Sequence, residues 1–133
     1  MRPVLLKRGL SATLEELLMA AEYVAKEGNR QIVLCERGVR ASCHWSYARS
    51  VLDLNVIEPL RRATPFPVIV DPSHATGQWS LVAPMSRAAV AAGAHGLLIE
   101  VVEDGADRAR LKSDAEQGIP PRILSEIIAA VRS

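Results

Sequence analysis

An α/β fold of four βα units, half of a TIM (β/α)8 barrel, is the class that this chain of 133 residues predicts. Three observations carry it. Four short apolar runs, Val4-Leu5-Leu6, Ile32-Val33-Leu34-Cys35, Val68-Ile69-Val70 and Leu97-Leu98-Ile99, recur along the chain. Buried parallel strands read in this way. Stretches of helical character separate the runs, as βα alternation requires. Each run also ends in charged or metal-capable residues: Lys7-Arg8-Gly9, Glu36-Arg37-Gly38, Asp71-Pro72-Ser73-His74 and Glu100. In βα-barrels the chemistry collects at the carboxyl ends of the strands. A small flavodoxin-like doubly wound domain is the alternative. Polar chemistry at every strand end favours the half-barrel, because a doubly wound sheet usually concentrates its ligand contacts at one switch point.

The elements follow in order. After the first strand, Ser11 or Thr13 can cap a helix running to about Glu27, and Thr13 with Glu16 matches a capping box. Leu14, Leu17, Leu18, Ala21 and Val24 fall on one face of it, and Gly28-Asn29 ends it. The second strand leads into a long segment, Gly38 to Asn55, without a clear period; loops of that length in a compact domain are usually functional. A short helix near Val56 to Arg62 is broken by Thr64-Pro65-Phe66-Pro67 before the third strand. His74 to Ser80 is predicted as a loop, Leu81 to Ala92 as an Ala-rich helix closed by Gly93, and Gly96 to Val101 as the fourth strand. Glu103 to Gly118 is polar and charged. Pro120-Pro121 then suits a first helical turn, with Ile123, Leu124, Ile127, Ile128 and Val131 as the apolar face of a last helix. No linker or low-complexity tract divides the units, so residues 1–133 are expected to form a single (βα)4 half-barrel domain.

Composition narrows the function. Hydrophobic residues make up 49% of the chain, enough for a real core. Sixteen basic residues against fifteen acidic give a formal charge of +1, so no global field recruits nucleic acid or an anionic membrane. Anion binding must then be local. Cys35 and Cys43 are too few and too poorly spaced for a disulfide framework or a zinc ribbon, which fits a reducing cytoplasm. The start, Met1-Arg2-Pro3-Val4-Leu5, is too short and too soon polar for a signal peptide, and no apolar run approaches the ~20 residues of a spanning helix. A cytoplasmic protein without membrane or nucleic-acid partners is the expectation.

The strand ends supply the candidate residues. Lys7, a lysine at a strand end, is a partner for phosphate or carboxylate, although lone lysines there are more often solvated. Arg37 can grip an anion with two parallel hydrogen bonds, paired to Glu36, while Gly38 lets the backbone come close to a ligand. A plain surface ion pair is the competing reading. His74 lies just past a strand terminated by a proline, where its imidazole can face the barrel mouth; a capped turn with a structural histidine is the competing reading. Glu100 at the end of an apolar strand must be ion-paired, metal-bound or wet. With Asp114, an ordinary loop acid by itself, these residues offer one nitrogen and two oxygen donors, a set suited to Mn²⁺, Fe²⁺ or Zn²⁺. Cys43-His44 also invites a metal reading, but adjacent residues seldom converge on one ion.

At these residues the chain resembles the carboxyl-terminal half of the 3-deoxy-arabino-heptulosonate-7-phosphate (DAHP) synthases of the Iβ type. The likeness runs through Pro3-Val4-Leu5-Leu6-Lys7-Arg8-Gly9, Leu34-Cys35-Glu36-Arg37-Gly38-Val39-Arg40, Val70-Asp71-Pro72-Ser73-His74, Ser86-Arg87-Ala88-Ala89, Ile99-Glu100-Val101 and Ser113-Asp114. The resemblance implies the second half of a (β/α)8 barrel. It further implies condensation of phosphoenolpyruvate with erythrose 4-phosphate, with a divalent metal, in the shikimate route to aromatic amino acids. It makes Lys7 and Arg37 the catalytic cations, with Arg8 and Glu36 beside them at the substrate, and His74, Glu100 and Asp114 the metal ligands. The chain departs from the family pattern at Ala41, Ser50-Val51, Gln78-Trp79, Val102-Glu103 and Ala115, around the loops of the site. The family's metal-binding cysteine and its Lys-Pro-Arg-Thr-Ser-type loop belong to the amino-terminal half. The expected partner is therefore a complementary half-barrel or a second copy of this chain, with a non-catalytic metal- or phosphate-binding module as the alternative. The first and fourth strands are expected to be unpaired edges.

Overall fold

The computed structural model describes residues 1–41, 46–105 and 116–132. Four parallel strands, β1 (Val4–Lys7), β2 (Ile32–Glu36), β3 (Val68–Val70) and β4 (Gly96–Leu97), form one sheet in the order β1-β2-β3-β4. The register places Lys7 beside Cys35, Cys35 beside Ile69 and Val70 beside Leu97.

Helices α1 (Leu14–Lys26), α2 (Ile57–Ala63) and α4 (Trp79–Ala91) cover one face of this sheet. Strand residues alternate in direction, so Ile32 and Leu34 of β2 and Val68 and Val70 of β3 meet Leu17, Ala21, Ile57, Leu60 and Ala89 in the core. The opposite face carries Leu5, Val33 and Ile69, and Leu5 remains 43% exposed. An unreversed strand order with the helical core on one face is single winding. A doubly wound sheet needs a reversal of strand order and helices on both faces, which disposes of the flavodoxin-like alternative.

Local sequence accounts for the boundaries. The Thr13 hydroxyl accepts from Glu16 N at 3.1 Å and the Glu16 carboxylate accepts from Thr13 N at 2.8 Å, the capping box that opens α1. The segment after β3 is not the expected loop. Pro72–Thr76 forms a short helix, α3, because Asp71 accepts from His74 N, Pro72 fits the first turn and Gly77 closes it with φ +66°. The fourth strand is shorter than the predicted span to Val101. Leu98 N still donates to Val70 O at 2.8 Å, but Glu100 N turns to the Ser73 hydroxyl at 3.0 Å and the ladder stops.

Beyond β4 an isolated bridge follows, outside the four-stranded sheet. Val101 and Ile119 form a parallel bridge, with Ile119 N donating to Glu100 O and Val102 N to Ile119 O, each at 3.0 Å. The expectation of an unpaired edge along Gly96 to Glu100 is corrected at its carboxyl end, where Ile119 covers it. Helix α5 (Pro121–Arg132) then folds back onto α4 through Val82, Ile119 and Ile127. No helix among the described residues is long and apolar enough to cross a membrane.

Candidate active-site rim

Two charge clusters sit at the carboxyl ends of the strands, one beneath the surface and one on it. The buried cluster centres on Glu36, whose side chain is fully buried. Its Oε1 accepts from Gly38 N at 2.8 Å and Asp53 N at 3.3 Å, and its Oε2 accepts from Arg8 Nη1 at 3.0 Å. Arg8 also donates through Nη1 to Asp53 at 2.9 Å and through Nε to Ala12 O at 2.9 Å. Burial pulls the Arg8 pKa down, but hydrogen bonds and attraction from Asp53 and Glu36 outweigh it, and the net displacement is upward.

These contacts correct two expectations. Glu36 pairs with Arg8 rather than Arg37, because the strand register brings Arg8 inward under the rim. Both Glu36 oxygens and the Arg8 Nε and Nη1 atoms are engaged within the protein, and both residues are buried, so the pair braces the rim. Gly38 is glycine for a different reason from the one expected. At φ +96° a Cβ there would strike the Ser50 hydroxyl and press on Ala75, so protein, not ligand, makes the close approach. Arg37, half-buried, has no ion-pair or hydrogen-bond partner among the described residues and stays available to an anion.

The surface cluster is a chain of four residues from three strand ends. Lys7 Nζ donates to Asp71 Oδ2 at 2.8 Å, with the lysine side chain 36% exposed and the carboxylate wholly buried. To do so the lysine arm crosses β2, over Cys35, a residue small enough to lie beneath it. Burial drives the Cys35 thiol pKa up to about 12, with the Asp71 charge adding to the effect. The Asp71 oxygens also lie 2.8 and 3.0 Å from His74 Nδ1. A carboxylate can only accept there, so Nδ1 carries the hydrogen, and in the neutral ring Nε2 presents its lone pair. His74 Nε2 faces Glu100 Oε2 at 3.6 Å. Two supports fix Glu100: Ser73 accepts from its backbone N, and the buried Gln117 donates to Oε2 through Nε2.

A nitrogen lone pair and a carboxylate oxygen facing each other repel unless a proton or a metal cation lies between them. This pair fits a divalent ion, with the arrangement carboxylate, imidazole, metal that is usual for metal-bound histidine. Asp114 lies outside the described residues, as do Cys43 and His44. Among the described residues no group of three such donors converges. Sequence reasoning quoted Asp71 but gave it no role, although an acid directly after an apolar strand is the signal that singled out Glu100. Asp53 and Gln117 carried no local signal.

A singly wound parallel sheet with its polar groups at the strand carboxyl ends defines a piece of βα-barrel architecture. Comparison supplies the family. The profile of the DAHP synthetase I family matches residues 1–130, and the chain belongs to that family. It is 40% identical over 131 residues to the phospho-2-dehydro-3-deoxyheptonate aldolase of Thermotoga maritima, covering 98% of this chain and 37% of that protein. A 2-dehydro-3-deoxyphosphooctonate aldolase of Pelobacter propionicus is 33% identical over 114 residues, which is 77% of this chain and 40% of that one. The crystal structure of the Thermotoga maritima DAHP synthase superposes with a TM-score of 0.90. A truncated form of the Thermotoga enzyme superposes equally well and is covered to 48%. The chain therefore spans well under half the length of the curated relatives it matches.

Proposed function

We propose that this chain contributes the carboxyl-terminal half of a DAHP synthase site, in which phosphoenolpyruvate condenses with erythrose 4-phosphate. The observation behind the reading is the linked set Lys7, Asp71, His74 and Glu100 at the strand ends of a family member. Lys7 and Arg37 are the cations for the phosphate and carboxylate of phosphoenolpyruvate, since Lys7 stays partly exposed and Arg37 has no partner among the described residues. Arg8 and Glu36 anchor the loop from which Arg37 projects. His74 and Glu100, joined by Asp114, hold a divalent metal, Mn²⁺, Fe²⁺ or Zn²⁺. A bound metal supplies Lewis-acid polarisation of the aldehyde. The residues of this chain orient phosphoenolpyruvate beside it and balance its charge.

The partner in this reading is an amino-terminal half-barrel, or a second copy standing in for it. The sheet's uncovered face, with Leu5, Val33 and Ile69, and the outer edge of β1 are what such a half would cover. Residues 1–133 then act as one (βα)4 domain. The test is a turnover assay with both substrates and Mn²⁺, with and without an amino-terminal half-barrel of the family, alongside sedimentation. Turnover only in the mixture, with a shift to a larger species, supports the proposal. A monomer that binds Mn²⁺ and phosphoenolpyruvate yet stays inert with every added half would leave a binding module.

A further inference from the structure

The carboxylate of Asp71 is shared. Its Oδ2 lies 2.8 Å from Lys7 Nζ and 2.8 Å from His74 Nδ1. The side chain is completely buried, so no water divides the charge for it, while Lys7 and His74 are both partly exposed, at 36% and 28%. One buried oxygen thus stands between a cation that faces outward and an imidazole whose free nitrogen faces Glu100.

We propose that Asp71 couples an anion site at Lys7 to a cation site at His74 and Glu100, so that each ligand strengthens the binding of the other. The inference rests on the reading of Lys7 and His74 given above and goes beyond it, because it assigns the communication between them to one residue. An anion arriving at Lys7 takes a share of the ammonium. The Asp71 charge is then less satisfied on that side and pulls harder on His74 Nδ1–H. An imidazole that donates more strongly at Nδ1 is a better donor of the Nε2 lone pair, the usual effect of a carboxylate behind a metal-bound histidine. The reverse step is required by linkage: a cation on Nε2 polarises Nδ1–H toward Asp71 and frees Lys7 for the anion. Asp71 is a positioning residue in this scheme and touches neither ligand.

Calorimetry on the chain tests the coupling, titrating Mn²⁺ with and without phosphoenolpyruvate and the reverse. In the unsubstituted chain each should tighten the other by about fivefold or more. Asp71→Asn keeps an oxygen for the α3 cap but loses the charge. Its Mn²⁺ affinity should fall by about 10–100-fold, and the mutual enhancement should vanish. Enhancement that persists undiminished in Asp71→Asn runs through direct contact of anion and metal and overturns the proposal. A second measurement avoids substitution altogether. Nitrogen-15 NMR of the His74 ring should show hydrogen on Nδ1, and phosphoenolpyruvate alone, without metal, should shift that signal. A ring signal indifferent to the anion also overturns it. The underlying reading has its own control in His74→Ala. If that variant binds Mn²⁺ unchanged, or if the unsubstituted chain binds neither probe, the metal and anion assignments fall first and the coupling with them. If His74→Ala abolishes Mn²⁺ binding while Asp71→Asn changes nothing, the coupling alone fails.

Discussion

The two clusters at the strand ends use the same kinds of residue for opposite purposes. Around Glu36, both carboxylate oxygens have partners: Arg8, Gly38 N and Asp53 N surround them, and Arg8 Nε and Nη1 donate to Ala12, Glu36 and Asp53. Around Asp71, the carboxylate is equally buried, yet its partners Lys7 and His74 reach into solvent and end in unspent chemistry. The difference lies one step away from the acid. A buried carboxylate whose partners are themselves buried is a structural strut. A buried carboxylate whose partners are half exposed holds reactive groups in place.

The sharpest way to break the comparison is Glu36→Ala. It leaves the Arg8 guanidinium largely buried beside Asp53 alone, and removing one member of a buried pair costs about 3–5 kcal/mol. Denaturant unfolding should show that loss, and a change under about 1 kcal/mol would mean the strut contributes little. His74→Ala should do the reverse: unfolding free energy within about 1 kcal/mol of the parent, because the ring is partly exposed, but Mn²⁺ affinity lowered at least 100-fold, roughly the upper end of what a supporting contact costs. A large stability loss without a binding loss would move His74 into the structural class.

The smallest effect belongs to Cys35, which lies between the clusters. Its folded pKa of about 12 is above the ordinary thiol value of 9.0, so the buried neutral thiol favours the folded state. The sign follows from linkage: that contribution is whole below pH 9, and it declines as pH rises from about 9 toward 12, where the unfolded thiol ionises first. In a Cys43→Ser background, alkaline unfolding should begin above pH 9 and flatten on Cys35→Ala. Thiol reagents should label Cys35 slowly at pH 8. Rapid labelling there would show an accessible thiolate.

The apolar runs, the capping box of Thr13 and Glu16, and the polar residue after each strand were legible in order along the chain, because each rests on neighbours within a few residues. Periodicity and chain direction determined four parallel βα units, and motif combination pointed to the family. The pairings were not legible. Glu36 could have met Arg37 next to it or Arg8, 28 positions earlier, and only the β1-β2 register brought Arg8 under the rim. The helix after β3 is not legible because Asp71-Pro72-Ser73-His74 fits a capped turn as well as a strand-end motif, while the bridge at Ile119 spans a polar stretch with no strand period. Sequence alone settles which side chains stand at the strand ends, since alternation and turn chemistry are local. Which of them are consumed as struts and which are left facing outward depends on distances between strands, and those exist only once the sheet has closed its register.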